Sequence, residues 1–121
     1  MYNYTLGEIF WLDIGYQDIP GESKIRPAII VDVVDNDLLM LVSTTSVPPN
    51  DPRKYFDQFK IPILNWRRSG LQKPSWVQGL KLIHLTRKQL QALVKEEDFI
   101  GRMNEQDFNY LVSEIERIHY D

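Results

Sequence analysis

Two apolar runs separated by a short polar turn constrain the fold of this chain more than any other feature. The runs are Pro27–Val34 and Leu38–Val42, and the turn between them reads Asp35-Asn36-Asp37. β-Branched and aliphatic residues dominate both runs, and Asp and Asn favour tight turns, so the pattern predicts an antiparallel β-hairpin. Residues equidistant from the turn should then face each other.

The open end of this hairpin carries a cation and several hydroxyl groups. Arg26 precedes Pro27, which cannot donate a ladder hydrogen bond and therefore suits the first position of a strand. Pairing about the turn brings the hydroxyls of Thr44–Ser46 towards Arg26–Ala28. Guanidinium and hydroxyl groups donate hydrogen bonds to phosphate oxygens, so we predict a phosphate site there.

The other strand-like segments predict a small, mainly β fold. Glu8–Ile14 mixes aliphatic and aromatic residues, which is typical of a strand buried on most of both faces. Phe59–Leu64 is also strand-like, but Pro62 places it at a sheet edge or a bulge. Ser75–Leu85 is expected to be a strand pair or a bent strand, interrupted at Gly79.

Two helices are expected near the C-terminus. Thr86 begins the first, with a capping box to Gln89. Gly101 breaks the chain, and Asn104 caps a final amphipathic helix. We therefore expect an α+β, mainly β barrel of about five to seven strands with C-terminal helices, formed as a single domain by residues 1–121.

Three irregular segments interrupt this pattern. Gly15–Ser23 and Asn65–Pro74 are long loops without apolar periodicity, and loops of this length in small domains are often functional. Val47–Phe56 is a proline-containing surface excursion that ends in Tyr55-Phe56.

Charge is segregated along the chain. The net charge is −3, but Arg53–Lys88 holds nine basic residues and one acid, Asp57, a balance of +8 that leaves −11 for the remainder. Such segregation gives one face a positive potential suited to nucleic acid, or else the acidic part simply neutralises the basic middle.

The basic part interleaves cations with aromatic rings. The residues concerned are Trp66, Arg67, Arg68, Lys73 and Trp76. Bases of single-stranded RNA stack on such rings while arginines hold the backbone. Trp76 lies in a predicted strand and is more typical of a core, so the loop residues are the better candidates.

The residue types present exclude several chemistries. The absence of cysteine removes disulfides and thiolate catalysis, and no apolar run approaches the length of a membrane span, so we expect a cytoplasmic protein. Of the two histidines, His84 is interpreted as structural and His119 as a cation at a helix C-terminus. No spacing of His, Asp and Glu resembles a metal site, so no metal or other cofactor is expected.

Five short motifs occur in order along nearly the whole chain. They are Gly7–Asp13 (GEIFWLD), Lys24–Val31 (KIRPAIIV), Thr44–Ser46 (TTS), Leu71–Val77 (LQKPSWV) and Phe99–Met103 (FIGRM). Together they resemble the MazF/PemK family of toxin endoribonucleases. The resemblance implies an SH3-like barrel of the CcdB/MazF type.

The resemblance also implies a function. It predicts a metal-independent, sequence-selective endoribonuclease that cleaves single-stranded RNA to 2′,3′-cyclic phosphate and 5′-hydroxyl ends, with Arg26 and Thr45 as catalytic residues. The implied partners are single-stranded RNA, a cognate antitoxin and a second copy of the chain in a homodimer. The residues expected to bind RNA are Glu22, Lys24, Ser46, Trp66, Arg67, Arg68, Lys73 and Ser75.

Two alternatives remain open. The acidic balance and the apolar final helix also suit a non-catalytic binding module on the same barrel, like the gyrase-poisoning CcdB proteins, and the chain can equally be an inert relative. The Val47–Phe56 excursion is longer than in compact relatives and is expected to alter access to Thr45.

Overall fold

The structure, a computed structural model, describes residues 4–14, 24–35 and 37–120. Within these residues the strands are β1 (Glu8–Asp13), β2 (Ile25–Val33), β3 (Leu38–Thr45), β4 (Lys60–Pro62), β5 (Trp76–Gln78), β6 (Ile83–Thr86) and β7 (Phe99–Arg102). The helices are α1 (Arg87–Leu93) and α2 (Glu105–Tyr120), with short 3₁₀ helices at Tyr55–Phe59 and Glu96–Asp98. Among the described residues, neither α-helix is long and apolar enough to cross a membrane. The predicted class, α+β and mainly β, is confirmed.

β2 and β3 form the predicted hairpin. Their antiparallel pairing places Ala28 opposite Ser43, so the residues that follow Ser43 continue towards the beginning of β2. The turn is closed by the side chain of Asp35, which accepts hydrogen bonds from the backbone N–H groups of Asp37 (2.8 Å) and Leu38 (3.0 Å). These two bonds lower the pKa of the Asp35 carboxyl from its ordinary value.

All seven strands belong to one antiparallel sheet. The hydrogen-bonded order is β4-β5-β3-β2-β1-β7, and β6 also pairs with β3. β3 therefore contacts β2 on one side and β5 and β6, one after the other, on the other side. β4 is an edge strand, as Pro62 predicts, and the described strands end at β4 and β7 without closing on each other.

Both faces of the sheet are buried. On one face Leu111 of α2 packs into a cluster that includes Ile29 and Val42. On the opposite face Leu90 of α1 joins a second cluster that includes Ile30. Burial of both faces explains why the central strands are continuous apolar runs rather than alternating ones.

β7 runs through Gly101, so the predicted chain break at this residue is wrong. The glycine is needed for a close approach between two backbones: a Cβ at Gly101 would lie 2.3 Å from the carbonyl oxygen of Ser69. A Cβ at Gly70 would lie 2.6 Å from the carbonyl oxygen of Ile100, and Gly70 also has a positive φ of 91°. The Asn65–Pro74 loop therefore rests directly on β7.

A buried carboxylate organises the segment between β3 and β4. Asp57 accepts hydrogen bonds from the Asn50 side-chain amide (2.7 Å), the Asn50 backbone N–H (3.0 Å) and the Lys54 backbone N–H (2.9 Å). Lys60 Nζ lies 3.1 Å from its other oxygen. The Asn50 amide above all, with the Lys54 N–H and the other donors, holds the pKa of Asp57 well below its ordinary value.

We expect Gly101→Ala to lower the free energy of unfolding by about 1–3 kcal/mol in urea denaturation, because the added methyl group would overlap the Ser69 carbonyl and displace the loop. Displacement should also speed trypsin cleavage after Arg67 or Arg68. Gly7→Ala is the control: its Cβ meets neighbours at no less than 3.6 Å but its φ is 85°, so it should cost stability without loosening the loop. Equal trypsin susceptibility of the two variants would contradict the close contact.

We expect Asp57→Asn to lower Tm by roughly 5–10 °C at pH 7. Both carboxylate oxygens of Asp57 interact with donors, whereas an asparagine amide accepts hydrogen bonds only on its oxygen. The folded-state pKa of Asp57 lies below its ordinary 3.8, so its stabilising contribution is complete above that pH and is lost as the pH falls. The Tm difference from wild type, followed by circular dichroism, should therefore shrink towards pH 3. Asp51→Asn, at an exposed carboxyl of the same segment, should change Tm little. A difference that stays constant with pH would refute this role for Asp57.

Candidate functional site

A cleft of about 390 Å³ lies at the open end of the β2–β3 hairpin. Its walls come from the beginning of β2, the end of β3, the second half of the Asn65–Pro74 loop, and parts of β1 and β7. Of the described residues that line it, three are cationic and none is acidic; the cations are Lys24, Arg26 and Lys73. The cleft is therefore suited to an anionic ligand.

Arg26 is held at the mouth of β2 with its head group fixed. It pairs with Leu12 of β1, and its Nη1 donates a hydrogen bond to the carbonyl oxygen of Thr44 at 3.2 Å. A guanidinium carries five N–H donors, and this bond uses one of them. The side chain is half-buried, so its charge acts where solvent screening is reduced.

The hydroxyl groups at the end of β3 have different surroundings. Thr44 Oγ1 donates to the carbonyl oxygen of Pro27 at 3.1 Å and therefore ties β3 to β2. Thr45 Oγ1 accepts a hydrogen bond from the Val47 N–H at 3.2 Å, which leaves its own O–H proton available to a ligand. Ser46 is exposed at the rim. Thr45 is thus the hydroxyl best placed to donate into the cleft.

The loop wall opposite these residues is anchored at both ends. At its start, the Asn65 N–H donates to the buried carboxylate of Asp107, in the first turn of α2, at 2.8 Å. Further along, Gly70 rests on β7 as described above. At its end, Ser75 Oγ donates to the Lys73 carbonyl at 3.0 Å, which shapes the last turn of the loop. Lys73 itself projects from a fixed backbone.

Two exposed aromatic residues in the cleft were missed by the sequence analysis. Trp11 of β1 is 43% exposed and Phe99 of β7 is 44% exposed, and both line the cleft. The available signal was the alternation of Trp11 and Asp13 with the buried Phe10 and Leu12. Both rings offer an apolar surface beside the three cations.

Several residues expected to bind RNA lie elsewhere. Trp66, Arg67 and Arg68 are not among the described residues that line the cleft. Trp66 packs against the core, and the Arg67 guanidinium lies 4.8 Å from the centre of its ring. Lys24, Ser46, Lys73 and Ser75 do line the cleft. Glu22 lies outside the described residues.

The two histidines are remote from this chemistry, since neither lines the cleft. His84 is exposed on β6. His119, in the last turn of α2, has Nε2 2.8 Å from the Gly79 carbonyl oxygen, so this nitrogen carries the proton and donates. Among the residues that the structure describes, no three His, Asp or Glu side chains are grouped so that they could hold a metal ion.

Comparison with known proteins bears on both the fold and the family. A chain of the MazE–MazF complex from Deinococcus radiodurans, crystal form III, superposes with a TM-score of 0.64 at 15% identity, covering 97% of this chain and 96% of that one. Crystal form II of the same complex gives a TM-score of 0.60 at 15% identity, with 98% and 94% covered. A search of curated protein sequences gave no significant match.

The predicted resemblance to the MazF/PemK family is confirmed by a family profile. The profile is described as PemK-like, MazF-like toxin of type II toxin–antitoxin system, and it matches residues 5–119. Since that match takes in nearly the entire sequence, the chain belongs to the family of PemK-like, MazF-like toxins of type II toxin–antitoxin systems.

Proposed function

We propose that this toxin is a metal-independent endoribonuclease that cleaves single-stranded RNA at selected sequences. One observation carries the proposal: Arg26 and Thr45, which come from different strands, line the same cationic cleft. The chain also belongs to a family of toxins, and its motifs resemble those of toxin endoribonucleases. Both facts support the same activity.

In the proposed reaction the RNA supplies its own nucleophile. The 2′-oxygen attacks the adjacent phosphorus, the bond from phosphorus to the 5′-oxygen breaks, and the products carry a 2′,3′-cyclic phosphate and a 5′-hydroxyl. The 2′-hydroxyl loses one proton and the leaving 5′-oxygen gains one. The protein has to hold the in-line geometry and stabilise the charge that develops on phosphorus.

Arg26 and Thr45 have separate tasks in this step. The guanidinium of Arg26 donates to the non-bridging oxygens, where negative charge accumulates in the transition state. Its bond to the Thr44 carbonyl holds it in place before substrate arrives, so little reorganisation is required. Thr45 donates its hydroxyl proton to the same phosphate, since its oxygen already accepts from Val47.

The remaining lining residues hold the RNA strand. Lys24 and Lys73 neutralise neighbouring phosphates, and Ser46 at the rim donates to the backbone. Trp11 and Phe99 offer rings on which unpaired bases stack. Arg67 and Arg68 stand exposed on the loop that forms one wall, and they contact the strand as it leaves the cleft.

Two protein partners complete the proposal. The family is defined by toxins of two-component systems, and the similar crystal structures hold MazF together with MazE, which supports neutralisation of this chain by a cognate antitoxin. The family resemblance also supports a homodimer in which the cleft borders the second copy. The proposed RNA substrate supports the cytoplasmic location expected from the sequence.

We expect Arg26→Ala to reduce the cleavage rate of a long single-stranded RNA by about 100- to 1,000-fold in EDTA, because a preorganised donor to the phosphate is lost. Gel analysis of the RNA with mapping of the new 5′ ends measures the rate and the sites. Arg117→Ala is the matched control, since the side chain of this arginine is exposed on α2 and does not line the cleft, and it should retain most of the activity.

Equal cleavage by wild type and Arg26→Ala, or cleavage by neither, would remove the nuclease proposal. Growth arrest with intact RNA and stalled DNA supercoiling in expressing cells would instead favour a gyrase-poisoning binding module. No effect on growth would indicate an inert relative.

We expect Trp11→Ala to weaken RNA binding by about 1–3 kcal/mol, because a stacking surface in the cleft is removed. The change should raise KM more than it lowers kcat, and Trp11→Phe should restore most of the loss. Tyr120→Ala serves as a control, since this exposed ring lies at the end of α2 and does not line the cleft. An unchanged KM in Trp11→Ala would show that bases do not stack there.

A further inference from the structure

A second cavity, also of about 390 Å³, lies beside the segment that leads from β3 into β4. We call the apolar side chains that line it, Phe56, Phe59 and Leu80, together with the adjacent Tyr55, the aromatic patch. Tyr55 is 66% exposed and Phe56 is 67% exposed, while Phe56, Phe59 and Leu80 line the cavity. Exposed aromatic rings grouped in this way are uncommon on the surface of a protein unless they bind something.

The aromatic rings of the patch are held in place by packing against one another within one short helix. The ring of Tyr55 packs edge-on against Phe56 and Phe59, with centroids 5.1 and 5.5 Å away. These residues form one 3₁₀ helix, whose start is fixed by the bond from the Lys54 N–H to Asp57. A ligand would therefore meet surfaces already in position, which reduces the entropy cost of binding.

Positive charge surrounds the aromatic patch. Arg53, Lys54 and Lys81 are exposed beside it, and Lys81 lines the cavity. Asp57, the single acid between Arg53 and Lys88, is already paired with Lys60. Three exposed cations thus stand beside the patch against one exposed carboxyl of the same segment, Asp51, a balance that favours a polyanion over a neutral apolar partner.

The side chain of Lys60 links the second cavity to the cleft that holds Arg26. Lys60 lines the second cavity, and its Nζ donates to the carbonyl oxygens of Val47 at 3.1 Å and Pro48 at 3.4 Å. Val47 in turn lines the first cleft. A strand leaving the cleft over Val47 would next meet Lys60 and then the exposed rings.

We propose that the aromatic patch is a second RNA subsite, which binds unpaired nucleotides that flank the cleaved bond. This inference rests on the endoribonuclease proposed above. The rings of Tyr55 and Phe56 stack on bases, and the neighbouring cations hold the backbone, a combination that is tolerant of base identity. The subsite therefore adds affinity for longer strands without adding to the recognised sequence.

The test uses the cleavage site mapped in a long RNA. A short oligonucleotide that covers only this site is compared with the same site extended by about six nucleotides at either end, each with a 2′-deoxy group at the cleaved position so that it binds without reacting. Full-length wild type should bind one of the extended strands about 5- to 100-fold more tightly than the short one. Fluorescence anisotropy of a labelled strand measures both affinities.

Phe56→Ala should reduce the ratio of the two affinities towards one, and Lys81→Gln should reduce it with a weaker dependence on salt. Tyr110→Ala, which changes an exposed ring of α2 that lines neither cavity, should keep the wild-type ratio. Because Lys81 is exposed, its variant gives an independent readout if Phe56→Ala does not fold.

Failure of this inference is distinguishable from failure of the nuclease proposal. Cleavage of the mapped site, together with equal affinity for short and extended strands, overturns the second subsite and leaves the nuclease intact. A length-dependent affinity that survives in Phe56→Ala and Lys81→Gln also overturns it, since the extra nucleotides then bind elsewhere. Absence of any cleavage by wild type overturns both.

Discussion

Antiparallel pairing of β2 with β3 is the interaction on which the rest of the structure depends. Each of these strands has further partners: β1 pairs with β2, while β5 and β6 pair with β3. The register that sets Ala28 opposite Ser43 also brings the guanidinium of Arg26 to the Thr44 carbonyl. A slip of one residue would exchange the two buried faces of the sheet and separate these groups, so the core specifies the site.

The described lining of the cleft carries a charge opposite in sign to the net charge of the chain. A net charge of −3 is unfavourable for binding a polyanion, yet the described lining of the cleft contains three cations and no acid. Asp57, the acid of the basic segment, is paired with Lys60, so these two charges cancel and the other cations of the segment determine its field. Local arrangement, rather than the total charge, therefore determines which ligands this surface attracts.

The elements that could be predicted from sequence are those with local signals. Periodicity and turn chemistry identify the β2–β3 hairpin, and the capping residues Thr86 and Asn104 mark the starts of both helices. The strand through Gly101 was not predictable, because a glycine that permits contact with a distant backbone looks the same in sequence as one that ends an element. Trp11 could have been found from the alternation of Trp11 and Asp13 with the buried Phe10 and Leu12.

The contact between Gly70 and Gly101 limits how the cleft can change. No side chain separates the two backbones, so the distance between the Asn65–Pro74 loop and β7 is set by contacts between main-chain atoms. Relatives that keep both glycines would share one main-chain outline here. Differences in preferred ligand among them would then arise from the side chains mounted on that outline, at Gln72 and Lys73, rather than from a remodelled wall.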